Sequence, residues 1–233
     1  MVRIRSSTRD LMALGCAVGC GIAAVSCAAL TSAGTQAPMP AGAPAIQAND
    51  TTGLIPAGYG SLHQDDIAIR VTHLGLGVRA IPLDESFIRT LASDAYRSLV
   101  AIRDSKKAQL DSVARRSGLT SLTVWLVSFS NTQQGEARFA PGDVNLTTAG
   151  RDFAPLAVIG LSPNFGDQRV RQGERVDALM AFDGAVNPNQ PLSLRFETET
   201  GGDWQTVLQR VEGERSRIRS RAGGRAPLGD RPW

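Results

Sequence analysis

Cysteine and histidine are both scarce in this sequence, which limits the chemistry that the chain can support. All three cysteines lie in one uncharged run at residues 11–30, and there are only two histidines, His63 and His73. The chain also contains no G-x-S-x-G, Ser-x-x-Lys or His-Glu-x-x-His motif and no phosphate-binding glycine loop. We therefore predict no catalytic residue, no metal site and no cofactor.

His63 comes nearest to a metal ligand because it lies beside Asp65 and Asp66. One imidazole and two carboxylates at the end of a flexible segment do not form a preorganised coordination site. His73 follows a predicted strand, so we expect it to be a surface or partly packed side chain.

A strong charge of either sign is also missing. The formal charge of +3 comes largely from the first 26 residues, where Arg3, Arg5 and Arg9 stand against Asp10. The remaining chain has 22 basic and 21 acidic residues, a formal charge of +1. A general electrostatic field for nucleic acid is therefore not expected.

The N-terminal residues have the layout of a secretory signal. Three arginines precede the uncharged run, and small residues follow it. We predict a signal peptide over residues 1–26. An uncleaved transmembrane anchor is the alternative, since about twenty uncharged residues can span a bilayer. The high content of glycine and alanine and the lack of a following basic cluster favour cleavage.

The end of this run, Ala24-Val25-Ser26-Cys27, resembles a bacterial lipobox. The resemblance implies that the Cys27 thiol is lipidated, that the peptide is cut before it, and that acyl chains hold the protein to a membrane. Because Ala28 rather than aspartate follows, it further implies the periplasmic face of the outer membrane. Cys20 is the alternative lipidation site, and Cys16 is a third, but both leave a shorter apolar region than signal peptides use.

Residues 27–60 read as a tether. About half of the segment 31–60 is alanine, glycine or proline, with no helical or strand periodicity. A flexible chain of that length spans roughly 30 Å. We expect it to hold a domain at residues 61–223 away from the lipid surface, and we expect residues 224–233 to be disordered.

The domain is predicted to be mainly β with two helical segments. Residues 122–129 are apolar on both faces, as in a central strand, whereas residues 192–196 alternate apolar and polar positions. Apolar residues at steps of three and four predict one long inserted helix over about 84–117, with either a break near 103–107 or a projecting second half. Trp204, Val207, Leu208 and Val211 predict a short C-terminal amphipathic helix.

Residues 120–197 resemble the immunoglobulin-like β-sandwich domains of uncharacterised secreted bacterial lipoproteins. The shared features are an aromatic-x-Pro-x-Asp turn at 139–143, a glycine hairpin at Gly150, a strand broken at Pro155 and a strand that ends in Phe182-Asp183. The resemblance implies an antiparallel sandwich outside the cytoplasm and no agreed reaction.

These features predict a non-enzymatic, membrane-anchored envelope lipoprotein that binds a protein or envelope polymer, or that stabilises a larger envelope complex. The alternative is a cell-envelope hydrolase whose carboxylates, such as Asp65 with Asp66 or Glu212 with Glu214, are brought together by folding. The arginines between 210 and 225 could contact anionic lipid headgroups. Glu212 and Glu214 dilute their charge, so a solvated helix face is the preferred interpretation.

Overall fold

The computed structural model describes residues 55–223. The predicted signal peptide, Cys27 with its alternative Cys20, most of the predicted tether and the predicted tail at 224–233 lie outside the described residues. No helix within 55–223 is long and apolar enough to cross a membrane.

The domain is mainly β, as predicted, and its sheets are antiparallel. The strands are β1 (Ile69–His73), β2 (Leu76–Pro82), β3 (Leu122–Asn131), β4 (Glu136–Arg138), β5 (Val144–Thr148), β6 (Arg151–Phe153), β7 (Ala157–Gly160), β8 (Arg169–Arg171), β9 (Arg175–Asp183), β10 (Leu192–Phe196) and β11 (Glu199–Gly201). A five-stranded sheet has the order β1-β2-β3-β9-β7, a four-stranded sheet has the order β11-β10-β5-β6, and β4 pairs with β8.

The apolar core lies where the inner faces of the two larger sheets meet. Phe129 of β3 packs against Phe196 of β10, with ring centroids 6.1 Å apart, and against Phe139 at 4.2 Å. All three rings are buried. The predicted central strand is confirmed as β3, the middle strand of its sheet, and the predicted half-buried strand at 192–196 is confirmed as β10.

The prediction of one long helix over 84–117 is wrong. The segment forms α1 (Glu85–Ile88), α2 (Ser93–Ser105) and α3 (Lys107–Ser117). The first interruption arises because the backbone near Leu91 pairs with Leu62 instead of continuing the helix: Leu62 donates to the carbonyl of Thr90 at 3.1 Å and its own carbonyl accepts from Ala92 at 2.9 Å. The second interruption, at Lys106, is the break that the sequence suggested between 103 and 107.

The C-terminal helix is confirmed, but it is longer than predicted. Helix α4 (Trp204–Gly223) has 20 residues and continues through the arginines. Trp204 anchors its start, as predicted: the indole stacks on Phe87 at 5.5 Å and donates to the carbonyl of Pro188 at 2.8 Å. Val211 and Ile218 are fully buried, so apolar contacts extend along the helix well beyond its first turns.

The last residues of the predicted tether contact the domain. Ile55 is buried, Arg89 donates to its carbonyl at 3.2 Å, and Arg221 of α4 donates to the carbonyl of Tyr59 at 2.8 Å. Ser61 donates its backbone amide and its hydroxyl to Oε1 of Glu214, at 3.0 and 2.8 Å. The chain entering the domain is therefore held against α4.

Candidate functional site

The outer face of the five-stranded sheet changes from apolar to polar between two neighbouring rows of side chains. Ile81, Leu126 and Leu179 lie side by side on β2, β3 and β9, and all three are buried. The next row on the same face lies two residues along each strand and consists of Arg79, Ser128 and Asp177. Arg70 of β1 continues this polar row beside Arg79.

The polar row contains two arginines directly opposite each other on β1 and β2. Like charges at such a cross-strand position destabilise a sheet. Asp65, on the short 3₁₀ helix Gln64–Ile67, offsets this repulsion because its Oδ1 lies 2.6 Å from Nη2 of Arg70 and 2.7 Å from Nη2 of Arg79. One carboxylate oxygen thus serves two guanidinium groups.

A third arginine reaches the same face from β9. Nη2 of Arg175 donates to Oδ2 of Asp177 at 3.0 Å, and its Nε lies 3.0 Å from Oδ1. The Asp177 amide donates to the hydroxyl of Ser162 at 2.9 Å, which fixes the strand against the segment that follows β7.

Three buried polar atoms in this row lack a hydrogen-bond partner among the described residues. They are Nε of Arg79, Oγ of Ser128 and Oδ1 of Asp177, although the last of these retains its ion-pair contact with Arg175. Ser128 is only 2% exposed. Buried donors and acceptors in proteins nearly always have partners, so Nε of Arg79 and Oγ of Ser128 show that hydrogen-bonding capacity is left unused in this row.

Of these three residues, Arg79 lines an open depression of about 600 Å³. We call it the arginine depression and define it by the residues that line it: His63, Gln64, Asp65, Arg70, Arg79 and Arg175. Burial lowers the pKa of Arg79, and the charges of Arg70 and Arg175 lower it further. The charge of Asp65 raises this pKa but does not restore it to its ordinary value. The charged form of Arg79 is therefore incompletely compensated in the folded protein.

The residues raised as a possible metal site are used differently. Asp65 pairs with arginines, and Oδ2 of Asp66 accepts from the backbone amide of His63 at 2.8 Å. Within residues 55–223, no group of three or more histidine, cysteine, aspartate or glutamate side chains is placed to hold a metal ion. His73 is partly packed, and its Nε2 lies 3.0 Å from Oε2 of Glu197.

The carboxylates raised for hydrolysis all have arginine partners: Asp65 as above, Asp66 with Arg210, Glu212 with Arg215 and Arg219, and Glu214 with Arg217 and Arg221. The Glu214 side chain has no exposed surface. Burial raises its pKa, but hydrogen bonds from Ser61 and Arg217 and the charge of Arg221 outweigh that effect and hold the pKa below its ordinary value. A general acid requires the opposite shift.

The arginines of α4 are engaged within the domain and do not form a free basic face. Arg215 donates to the carbonyl of Ser86 at 2.9 Å and to Oδ1 of Asn189 at 2.8 Å, and its guanidinium lies 5.4 Å from the centroid of the Phe87 ring. Arg217 and Arg221 neutralise Glu214.

A second depression, of about 510 Å³, lies beside β4 and β8. It is lined by Glu136, Asn164, Asp167, Arg169, Arg171 and Glu174. Arg169 pairs with Glu136 at 3.6 Å. None of the buried atoms without a partner belongs to these residues, so this depression has less unused binding capacity than the arginine depression.

Sequence reasoning missed Arg70, Arg79 and Arg175 as site residues. Arg70 lies on the polar face of the predicted alternating strand, and Arg79 lies in a short extended segment next to it. The available signal was that two neighbouring strands each carry an arginine at a polar position. Pairing with β9, far along the chain, then adds Arg175.

Comparison of the chain with protein-family models, with curated proteins and with solved structures gives no significant match.

Proposed function

We propose that this protein is a lipid-anchored protein of the bacterial cell envelope that binds a partner through the outer face of its five-stranded sheet. The observation that carries the binding role is the arginine depression, which is lined by three arginines and in which Nε of the enclosed Arg79 has no partner among the described residues. The anchoring role rests on the lipobox-like sequence that ends at Cys27. The setting that follows from it is the periplasmic face of the outer membrane.

The finer description of the fold belongs to the same proposal. We infer an immunoglobulin-like sandwich because both larger sheets are antiparallel and bury their facing aromatic side chains. In this arrangement the helices α1 to α3 are an insertion between β2 and β3, which are neighbours in the five-stranded sheet.

A binding role is favoured over hydrolysis by the state of the acidic residues. Each of the four carboxylates named for catalysis is paired with arginine, and the pKa of buried Glu214 is lowered rather than raised. These groups suit an ion-pair network better than proton donation to a leaving group.

Membrane fractionation of cells that express the full chain tests the anchoring role. We expect Cys27→Ser to move the protein from the membrane fraction to the soluble fraction, while the matched Cys20→Ser variant stays with the membrane. Persistent attachment of Cys27→Ser would contradict lipidation at that residue. Release of the Cys20 variant instead would identify Cys20 as the anchor.

Site-specific crosslinking in cells tests the binding role. A photo-crosslinking residue at exposed His63, within the arginine depression, is expected to give a defined adduct. The same residue at exposed Arg97, on α2, is the control. Equal adducts from both positions, or none from His63, would contradict binding through this face.

A further inference from the structure

We propose that the arginine depression binds a phosphate group, held between the guanidinium groups of Arg79 and Arg175 after Asp65 has been displaced. This inference rests on the proposed function, because it names the chemical group that the binding face recognises. The charges of the depression, the contacts of Asp65 and the unpartnered Nε of Arg79 support it.

The charges of the depression favour an anion. Arg70, Arg79 and Arg175 stand against Asp65 and Asp177, which leaves an excess of positive charge. Arg70 and Arg79 occupy directly opposed positions on paired strands, an arrangement that an added negative charge stabilises. Arg79 is the most enclosed of the three, with a side chain only 17% exposed against 49% for Arg70 and 55% for Arg175.

Asp65 already occupies a position beside Arg79, one of the two arginines of the proposed phosphate site. A single oxygen of this carboxylate contacts both Arg70 and Arg79, yet the side chain is 70% exposed. Exposed ion pairs contribute little net stability, so a ligand can displace this contact at low cost. Asp65 therefore acts as an internal competitor for Arg79, the arginine that it shares with the proposed phosphate site.

Phosphate fits the remaining atoms better than a second carboxylate does. Nε of Arg79 has no acceptor, and Arg175 approaches from β9 on the other side of β3. A planar carboxylate presents two oxygens in one plane, whereas a tetrahedral phosphate presents three acceptor oxygens in different directions. Guanidinium groups match phosphate oxygens with paired, charge-assisted hydrogen bonds.

The test is calorimetric titration of the full-length protein in nonionic detergent with inorganic phosphate, with sodium chloride at equal ionic strength as the reference. Wild type is expected to show saturable binding of phosphate and none of chloride. Arg79→Gln and Arg175→Gln are each expected to weaken phosphate binding roughly tenfold or more, since each removes charge-assisted hydrogen bonds.

Two further variants separate a binding site from a structural ion cluster. Arg97→Gln removes the same charge from exposed α2 and is expected to leave phosphate binding unchanged. Asp65→Asn removes the internal competitor and is expected to strengthen binding several-fold, a gain that a purely structural role for Asp65 would not produce. Because Arg175 is largely exposed, its variant stays informative if Arg79→Gln fails to fold.

Wild-type binding of phosphate no stronger than that of chloride, or equal phosphate affinity in all the folded variants, would overturn the proposal. That failure would leave the result for Cys27→Ser untouched, so the anchoring role and the ligand are tested separately. Flotation of the Cys27→Ser protein, which lacks the proposed acyl anchor, with phosphatidylglycerol vesicles then identifies the source of the phosphate. Flotation that is lost when Arg175→Gln is added indicates a lipid headgroup, and no flotation of Cys27→Ser indicates free phosphate.

Discussion

Glu214 illustrates how a single buried charge fixes two distant parts of the chain. Its carboxylate has no exposed surface and accepts hydrogen bonds from Ser61, 153 positions earlier, and from Arg217 and Arg221 on its own helix. Arg217 and Arg221 are themselves largely exposed, so loss of the carboxylate does not leave a buried cation without a partner. It removes instead the charged acceptor of the Ser61 amide and hydroxyl.

We therefore predict that Glu214→Gln lowers the free energy of unfolding by about 2 kcal/mol, which is the usual cost of weakening hydrogen bonds to a buried charged group. Glu212→Gln is the control on the same helix, since Glu212 is 58% exposed, and it should change stability by less than about 0.5 kcal/mol. Urea denaturation of both variants measures the difference. Equal effects would contradict the role assigned to Glu214.

The same residue predicts a dependence of stability on pH. The pKa of Glu214 in the folded protein is lowered from its ordinary value of 4.5, so folding favours the ionised form. Its contribution to the free energy of unfolding is therefore fully present above pH 4.5 and is lost as the pH falls through the folded pKa.

The gap in stability between wild type and Glu214→Gln should accordingly be constant near neutral pH and should shrink in acid. Denaturation curves collected at several pH values between about 3 and 7 measure it. A gap of the same size at every pH would show that the carboxylate is not preferentially ionised in the folded state.

At the scale of elements, the edge strand β1 of the five-stranded sheet contacts the four-stranded sheet. Strand β1 lies beside β10 and β11, and a Cβ atom built on Gly201 of β11 would come within 2.5 Å of the Arg70 carbonyl oxygen and 2.9 Å of Cβ of Val71. Only a residue without a side chain allows this approach of two backbones.

Gly201→Ala is thus expected to destabilise the domain by about 1–3 kcal/mol, the range for overpacking a filled space. Gly142→Ala provides the control, because nothing lies within 4 Å of the added methyl group in that exposed turn. Thermal unfolding of the two variants makes the comparison. A Gly201 variant as stable as the control would contradict close contact between β1 and β11.

Elements defined by local periodicity were predictable from sequence, and those defined by distant pairing were not. Strand β3 is apolar on both faces, β10 alternates, and the turn at Ala149 and Gly150 has positive φ at both residues, as the glycine suggested. The interruption before Ser93 was not predictable, because it depends on Leu62, about thirty positions earlier, pairing with the backbone near Leu91.

The arginine depression was likewise predictable only where it depends on local periodicity, and not where it depends on distant strand pairing. Alternation alone assigns Arg70 to a polar face. Its position opposite Arg79 depends on the register of the β1–β2 hairpin. The proximity of Arg79 to Arg175 depends on the pairing of β2 with β3 and of β3 with β9. No pattern within one strand encodes that register, so the site became visible only once the strands were paired.

At the scale of the whole molecule, the proposed lipid anchor lies at the N-terminal end of the chain and the proposed binding face lies in the folded domain. The chain enters the domain along α4, where Arg221 and Glu214 hold residues 59 and 61.

Mass spectrometry of the mature protein's N-terminal peptide, isolated from the membrane fraction, tests the central claim most directly. We predict that this peptide begins at Cys27 and carries the added mass of a lipid in thioether linkage. A mature chain that begins at another residue, or that retains Met1 with an unmodified Cys27, would contradict the account.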